Sequence, residues 1–117
     1  MILAAVLVGL LVGAGVFTFG YVRGASYLTD NPEACANCHV MGEHYSSWMK
    51  GSHRAAAKCN DCHTPAGVAS KYATKMHNGF SHSLAFTTGR FPDEIQITQR
   101  NYGIARDSCA KCHAELE

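Results

Sequence analysis

From Ile2 to Val22 the chain reads ILAAVLVGLLVGAGVFTFGYV, without one charged side chain. At 1.5 Å rise per residue such a helix covers about 30 Å, the thickness of a bilayer's hydrocarbon core. The pattern therefore predicts a transmembrane helix, with the anchor occupying residues 1–24. A cleavable signal peptide would open on a basic region and carry a shorter apolar stretch of roughly 7–15 residues. This run is longer and has no basic opening, so an uncleaved anchor is expected. Gly9 and Gly13 form a G-x-x-x-G that lets a partner helix approach, a weak pointer in membrane helices.

Beyond the anchor the polar and apolar positions keep no sustained period, and strand signals are sparse. Asp30-Asn31-Pro32-Glu33 predicts a helix start, with a capping side chain, proline in the first turn and an acidic group at the positive dipole end. That helix is expected to carry the first cysteine motif. A second helix is predicted from about Ala66 to Phe86, weakened at Gly79, followed by a looser segment from Thr87 to Asp93. Glu94 to Cys109 predicts one more short helix. The expected fold is mostly α: a single N-terminal transmembrane helix plus a small domain over residues 25–117. A domain of this size buries a modest core and usually needs a staple.

The cysteines identify the staple. All six fall into three copies of one pattern: Cys35-Ala-Asn-Cys38-His39, Cys59-Asn-Asp-Cys62-His63 and Cys109-Ala-Lys-Cys112-His113. Each is C-x-x-C-H, in which the two thiols form thioethers with haem and the histidine can ligate iron. A disulfide framework gives no reason for a histidine after every second cysteine. Structural zinc takes four ligands from paired C-x-x-C units, and three pairs do not divide into such sites. Three covalently bound haems c are expected on this chain. Formal net charge is +1 and no Lys/Arg-rich run occurs, so the electrostatic footprint of a nucleic-acid binder is missing.

Orientation does not follow from flanking charge, because only the terminal amine precedes the apolar run while Arg23 follows it. Covalent haem attachment in bacteria takes place outside the cytoplasm, which predicts a single-pass protein of the inner membrane with its haem domain in the periplasm. Three haems need as many as six axial ligands, and each motif histidine supplies at most one. Four histidines remain: His44, His53, His77 and His82. His53, six residues before Cys59, is the best candidate for a distal ligand. Met41 extends the first motif to C-x-x-C-H-x-M. Methionine ordinarily fills cores, whereas as an axial thioether it raises a haem's potential.

The stretch ACANCHVMGEHYSSWMKGSHRAAAKCNDCHTPAG, preceded by SYLTDNPE and followed by KYATKMHNGFSHSLAFTTG, resembles the NapC/NirT family of quinol dehydrogenases. Within that family it looks most like the small subunits of ammonia-forming cytochrome c nitrite reductases, over essentially the whole chain. The resemblance implies that Met41 rather than His39 is the protein ligand of the first haem, whose other face opens on a quinol pocket. It implies His63 on the second haem and His113 on the third, with His53 as the distal partner of the third. It places Lys71 in the quinol pocket. Lys71, Lys75, Asn78 and His82 lie at i, i+4, i+7 and i+11, one helix face, which without the resemblance reads as a solvated polar stripe. Relatives carry an aspartate where this chain has Asn78, which cannot ionise; His77 or Glu43 are the other candidates for taking the quinol's protons.

The function implied is a quinol-oxidising electron-transfer subunit, itself not the nitrite-reducing one. It would be seated in membrane lipid, take electrons from menaquinol and pass them through its haems to the periplasmic multihaem catalytic subunit of nitrite reductase. Alternatives are a passive electron-transfer cytochrome with no quinol site, a quinol module serving another reductase such as nitrate reductase, and a terminal reductase with an open haem. The family pattern has four haem motifs, so a fourth haem segment is expected beyond Glu117, with a naturally short variant as the alternative.

Overall fold

The computed structural model describes residues 1–116. Among them all the regular structure is helical and there is no strand; residues 90–98 form a non-helical link between the last two α-helices. Helix α1 spans Ile2–Tyr21, with a mean hydropathy of 2.5 over its best window and no residue buried against the rest of the chain. By length and composition it can cross a membrane. Arg23 ends it in the left-handed region at φ 51°, and a 3-10 turn, Gly24–Leu28, redirects the chain.

Helix α2 is Pro32–Cys35, α3 is Gly42–Lys50 and α4 is Cys59–His63. The long α5 is Val68–Thr88 and α6 is Gln99–Cys112. The expected start at Asp30 to Glu33 is present, but the cap is Asn31, whose side chain accepts from the Glu33 amide at 3.1 Å. The helix is only four residues long and stops on Cys35, so most of the first motif lies in a turn and the 3-10 segment His39–Met41. Helix α5 runs two residues past the expected end at Phe86 and continues unbroken through Gly79. At that glycine a Cβ would stand 3.3 Å from the Tyr27 ring, so the missing side chain lets the segment after the anchor pack close. Gly89, at φ 66°, ends α5 in the left-handed conformation that glycine adopts at little cost. Helix α6 begins later than expected, because Thr98 rather than Glu94 caps it, accepting from the Asn101 amide at 3.3 Å.

Among the described residues no apolar side chain is buried; the buried ones are Thr64, Thr74 and Lys75. The chain exposes 9417 Å², against about 6200 Å² for a compact monomer of this mass. The anchor explains part of that excess. Exposed apolar side chains outside the anchor, such as Ile97 and Tyr102, contribute to the rest.

Candidate haem-attachment site

The three motifs form a row. Cys35, at the end of α2, sits within hydrogen-bonding reach of Cys59 at the start of α4, and burial together with that neighbour pushes its thiol up to about 11. Cys62, at the other end of α4, is close enough to Cys109 and Cys112 for their charges to act on it, although burial contributes most to raising its thiol. Helices α4 and α6 pack against each other, which joins the second motif to the third. None of the six cysteines is in a disulfide, and protonated thiols are what addition to haem vinyl groups consumes.

The histidines give a geometric test of fit. The rings of His53 and His113 lie 6.1 Å apart centre to centre, at 80°. A metal shared by two imidazoles, with bonds of about 2 Å and each nitrogen about 1.2 Å from its ring centre, requires roughly 6.4 Å. The 3-10 segment Ser52–Ala55 and the C-terminal end of α6 thus bring together the two residues expected to share one haem. His63 has its proton affinity lowered, first by desolvation and then by the charge of the neighbouring His44, and the neutral imidazole so favoured is the ligating form. Met41 is half-buried and His39 exposed, side by side on the 3-10 segment after Cys38.

The polar face of α5 turns inward. Lys71 Nζ is 2.5 Å from Asp30 Oδ2, and Lys75 Nζ is 3.3 Å from Oδ1 and donates to the Thr29 carbonyl at 2.6 Å. Asn60, inside the second motif, donates to Asp30 Oδ1 at 2.7 Å. Asp30 therefore connects the segment after the anchor, the second haem motif and α5. The Lys71 hydrogen bond holds its carboxyl down at about 2, and the same contact raises Lys71. Asn78 accepts from Asn101 Nδ2 at 3.2 Å, which links α5 to α6. His77 Nδ1 approaches Asn78 Oδ1 at 3.5 Å, His82 is exposed further along, and Glu43 is exposed on α3. Neither Lys71 nor Asn78 lines the cleft at Ser81, Leu84 and Arg90 or the one at Asn31, Trp48 and Arg54. Sequence reasoning missed Asp30 as a hub; the available signal was the i, i+4 pair Lys71 and Lys75, which one carboxylate can bridge.

A model of the NapC/NirT cytochrome c family, N-terminal region, matches residues 1–117. The chain belongs to the NapC/NirT cytochrome c family. Haem c binding follows from that membership, and the cysteine and histidine geometry fits it. One relative, the cytochrome c-type protein NrfH of Wolinella succinogenes, is 36% identical over 95% of this chain and 63% of its own length. Another, the cytochrome c nitrite reductase subunit NrfH of Nitratidesulfovibrio vulgaris, is 28% identical over 85% of this chain and 62% of its own. The chain thus spans about three fifths of the length of these relatives. A solved structure, the cytochrome c nitrite reductase NrfHA complex bound to the HQNO inhibitor, contains a similar chain. That chain matches with a TM-score of 0.70 and 26% identity over 95% of this chain and 75% of its own.

Proposed function

We propose that this chain is a membrane-anchored quinol dehydrogenase subunit. It takes electrons from menaquinol and delivers them to a periplasmic multihaem reductase, the catalytic subunit of ammonia-forming nitrite reductase. Residues 1–24 are the anchor, and residues 25–117 are the periplasmic domain, carrying three haems c. The observation that carries the reading is the row of three motifs, joined by the packing of α2 on α4 and of α4 on α6, that follows an apolar helix of membrane length. The relatives' names, as nitrite reductase subunits, support the choice of partner.

Haem, when attached, supplies one-electron redox chemistry, and the chain supplies ligands and position. Met41 would hold the first haem, His63 the second, and His113 together with His53 the third. Lys71 and Asn78 line the quinol pocket. The Lys71 ammonium, kept charged by Asp30, donates a hydrogen bond to a quinol oxygen and lowers the cost of its losing a proton. Asn78 orients the ring; of the two protons that leave with the quinol's two electrons, His77, touching Asn78, takes one and the other passes to solvent.

The experiment is reduction of the purified chain by a menaquinol analogue, compared with dithionite. Lys71→Ala should slow the first by about tenfold or more, one lost charge-assisted hydrogen bond being worth about 1.5–3 kcal/mol, and leave the second intact. If the parent is reduced by dithionite alone, the passive electron-transfer reading replaces this one. That reading has its own support in the structure, because the Lys71 ammonium is already engaged by Asp30.

A further inference from the structure

Helix α5 is amphipathic the wrong way round for a water-soluble domain. Its polar face, Lys71, Thr74, Lys75 and Asn78, is buried or half-buried against Asp30, Thr29 and α6. Met76, Phe80 and Leu84, at i, i+4 and i+8 on the other side, are 76%, 71% and 51% exposed. Past the helix, the Gly89 turn folds the chain back, with the Arg90 amide bonding to the Ala85 carbonyl at 3.0 Å, and sets Phe91 on Phe86 with ring centres 4.6 Å apart. Arg90 lines a cleft of about 300 Å³ with Ser81, Leu84, Ala85 and Thr88.

The direction of α5 relative to the anchor follows from four contacts. Tyr27 packs at Gly79, Tyr72 Oη donates to the Leu28 carbonyl at 3.2 Å, Lys75 bonds Thr29, and Lys71 bonds Asp30. As the chain leaves the anchor from Tyr27 to Asp30, its partners on α5 run backward from residue 79 to residue 71. The segment therefore runs roughly antiparallel to α5, and the end of α5 beyond Gly79 lies on the side from which residues 27–30 arrive. Nine more residues at 1.5 Å carry it about 13 Å in that direction.

We propose that the second half of α5 and the turn after it, Phe80 to Phe91, form a second membrane contact beside α1. Phe80 and Leu84 enter the boundary between headgroups and acyl chains, the Phe86–Phe91 pair sits at headgroup level, and Arg90 meets lipid phosphate. Lipid is the occupant for two reasons: the end of α5 lies on the side from which the chain arrives from the anchor, and the aromatic and arginine composition of Phe80 to Phe91 is that of interfacial segments. The proposal rests on α1 spanning the bilayer. It adds that the proposed quinol helix is held at the membrane surface by its own side chains as well as by the link to the anchor.

The test uses the full haem-loaded chain in nanodiscs of phosphatidylcholine doped with a phosphatidylcholine whose acyl chain carries a diazirine near the headgroup. After photolysis, lipid adducts are mapped on peptides by mass spectrometry. Adducts are expected in α1 and in the peptide containing Phe80 to Phe91. Phe80→Glu/Leu84→Glu, checked for unchanged haem content, should lower the second signal about tenfold and leave the first. Should the double variant lose haem, the parent's adduct map decides alone. Adducts confined to α1 overturn the proposal but keep the anchor, whereas none in either peptide overturns the anchor as well. Photocrosslinks from the Phe80 to Phe91 peptide to a second polypeptide, with no lipid adduct there, assign the surface to protein and overturn the proposal too.

Discussion

Asp30 illustrates how one side chain joins parts of the chain that are far apart in sequence. Read locally it belongs to a capping group, and a cap does form there, but on Asn31. Its two lysine partners are 41 and 45 residues away, so nothing in its neighbourhood could announce them. The cysteine motifs, by contrast, were readable because their chemistry is written within five consecutive residues. His53 was readable as the best distal-ligand candidate, and the resemblance paired it with His113; the structure sets the two rings 6.1 Å apart where the 3-10 segment Ser52–Ala55 meets the end of α6. The ion pair also makes a pH prediction. The Asp30 carboxyl is held at about 2, below its ordinary 3.8, so its contribution is complete above the unfolded value and is lost as pH falls through the folded one. Stability of the parent should therefore drop between about pH 4 and pH 2 more steeply than that of Asp30→Asn. Thermal midpoints by circular dichroism across that range measure the difference. Equal slopes would show that this carboxylate, 43% exposed, is too solvated to matter.

At the scale of elements, composition located the anchor and α5 to within two residues at either end, because length and apolar content carry those signals over many positions. The short helices were less readable. Helix α2 ends after one turn at Cys35, and α6 starts where Thr98 can cap it, decisions made by single side chains and by packing between the motifs. Gly79 shows tertiary packing overriding propensity. A glycine inside a helix costs about 1 kcal/mol relative to alanine, which is why it read as a weak point. Here the open space takes the Tyr27 ring, and the contact fixes α5 to the anchor exit. Gly79→Ala should sit within about 0.5 kcal/mol of the parent, propensity gained against a Cβ 3.3 Å from the ring. Gly79→Leu has no such balance and should cost about 1–3 kcal/mol by driving Tyr27 away. Thermal melts of both variants in detergent decide it, and a leucine variant as stable as the parent would remove Tyr27 from the account.

The whole molecule raises the question of what holds it together. Helices of four, five and nine residues cannot persist alone in water, since nucleation is costly below about 12–15 residues. Ordinarily an apolar core supports them, yet among the described residues no apolar side chain is buried. The hydrogen bonds that cross between elements, such as Trp48 Nε1 to the Ala57 carbonyl at 3.0 Å and Arg100 to Thr74 at 3.1 Å, are worth about 1 kcal/mol each, far less than the entropy of ordering the backbone. The remaining source is the proposed haems. Each would tie two cysteines to a large apolar ring, and a histidine from a distant segment, as His53 is to His113, would close the chain around it. Folding and haem attachment should then be one event, as for metal-dependent small domains. The chain produced without haem maturation should keep the helicity of α1 in detergent but lose most of the remaining far-ultraviolet signal and be cut rapidly by protease after Arg23. The matured chain, denatured and weighed intact, should carry three haems and resist the protease when native. A haem-free chain with undiminished helix content and the same protease resistance would mean that the polar contacts suffice, and the row of cysteine motifs would then be a passenger on the fold rather than its core.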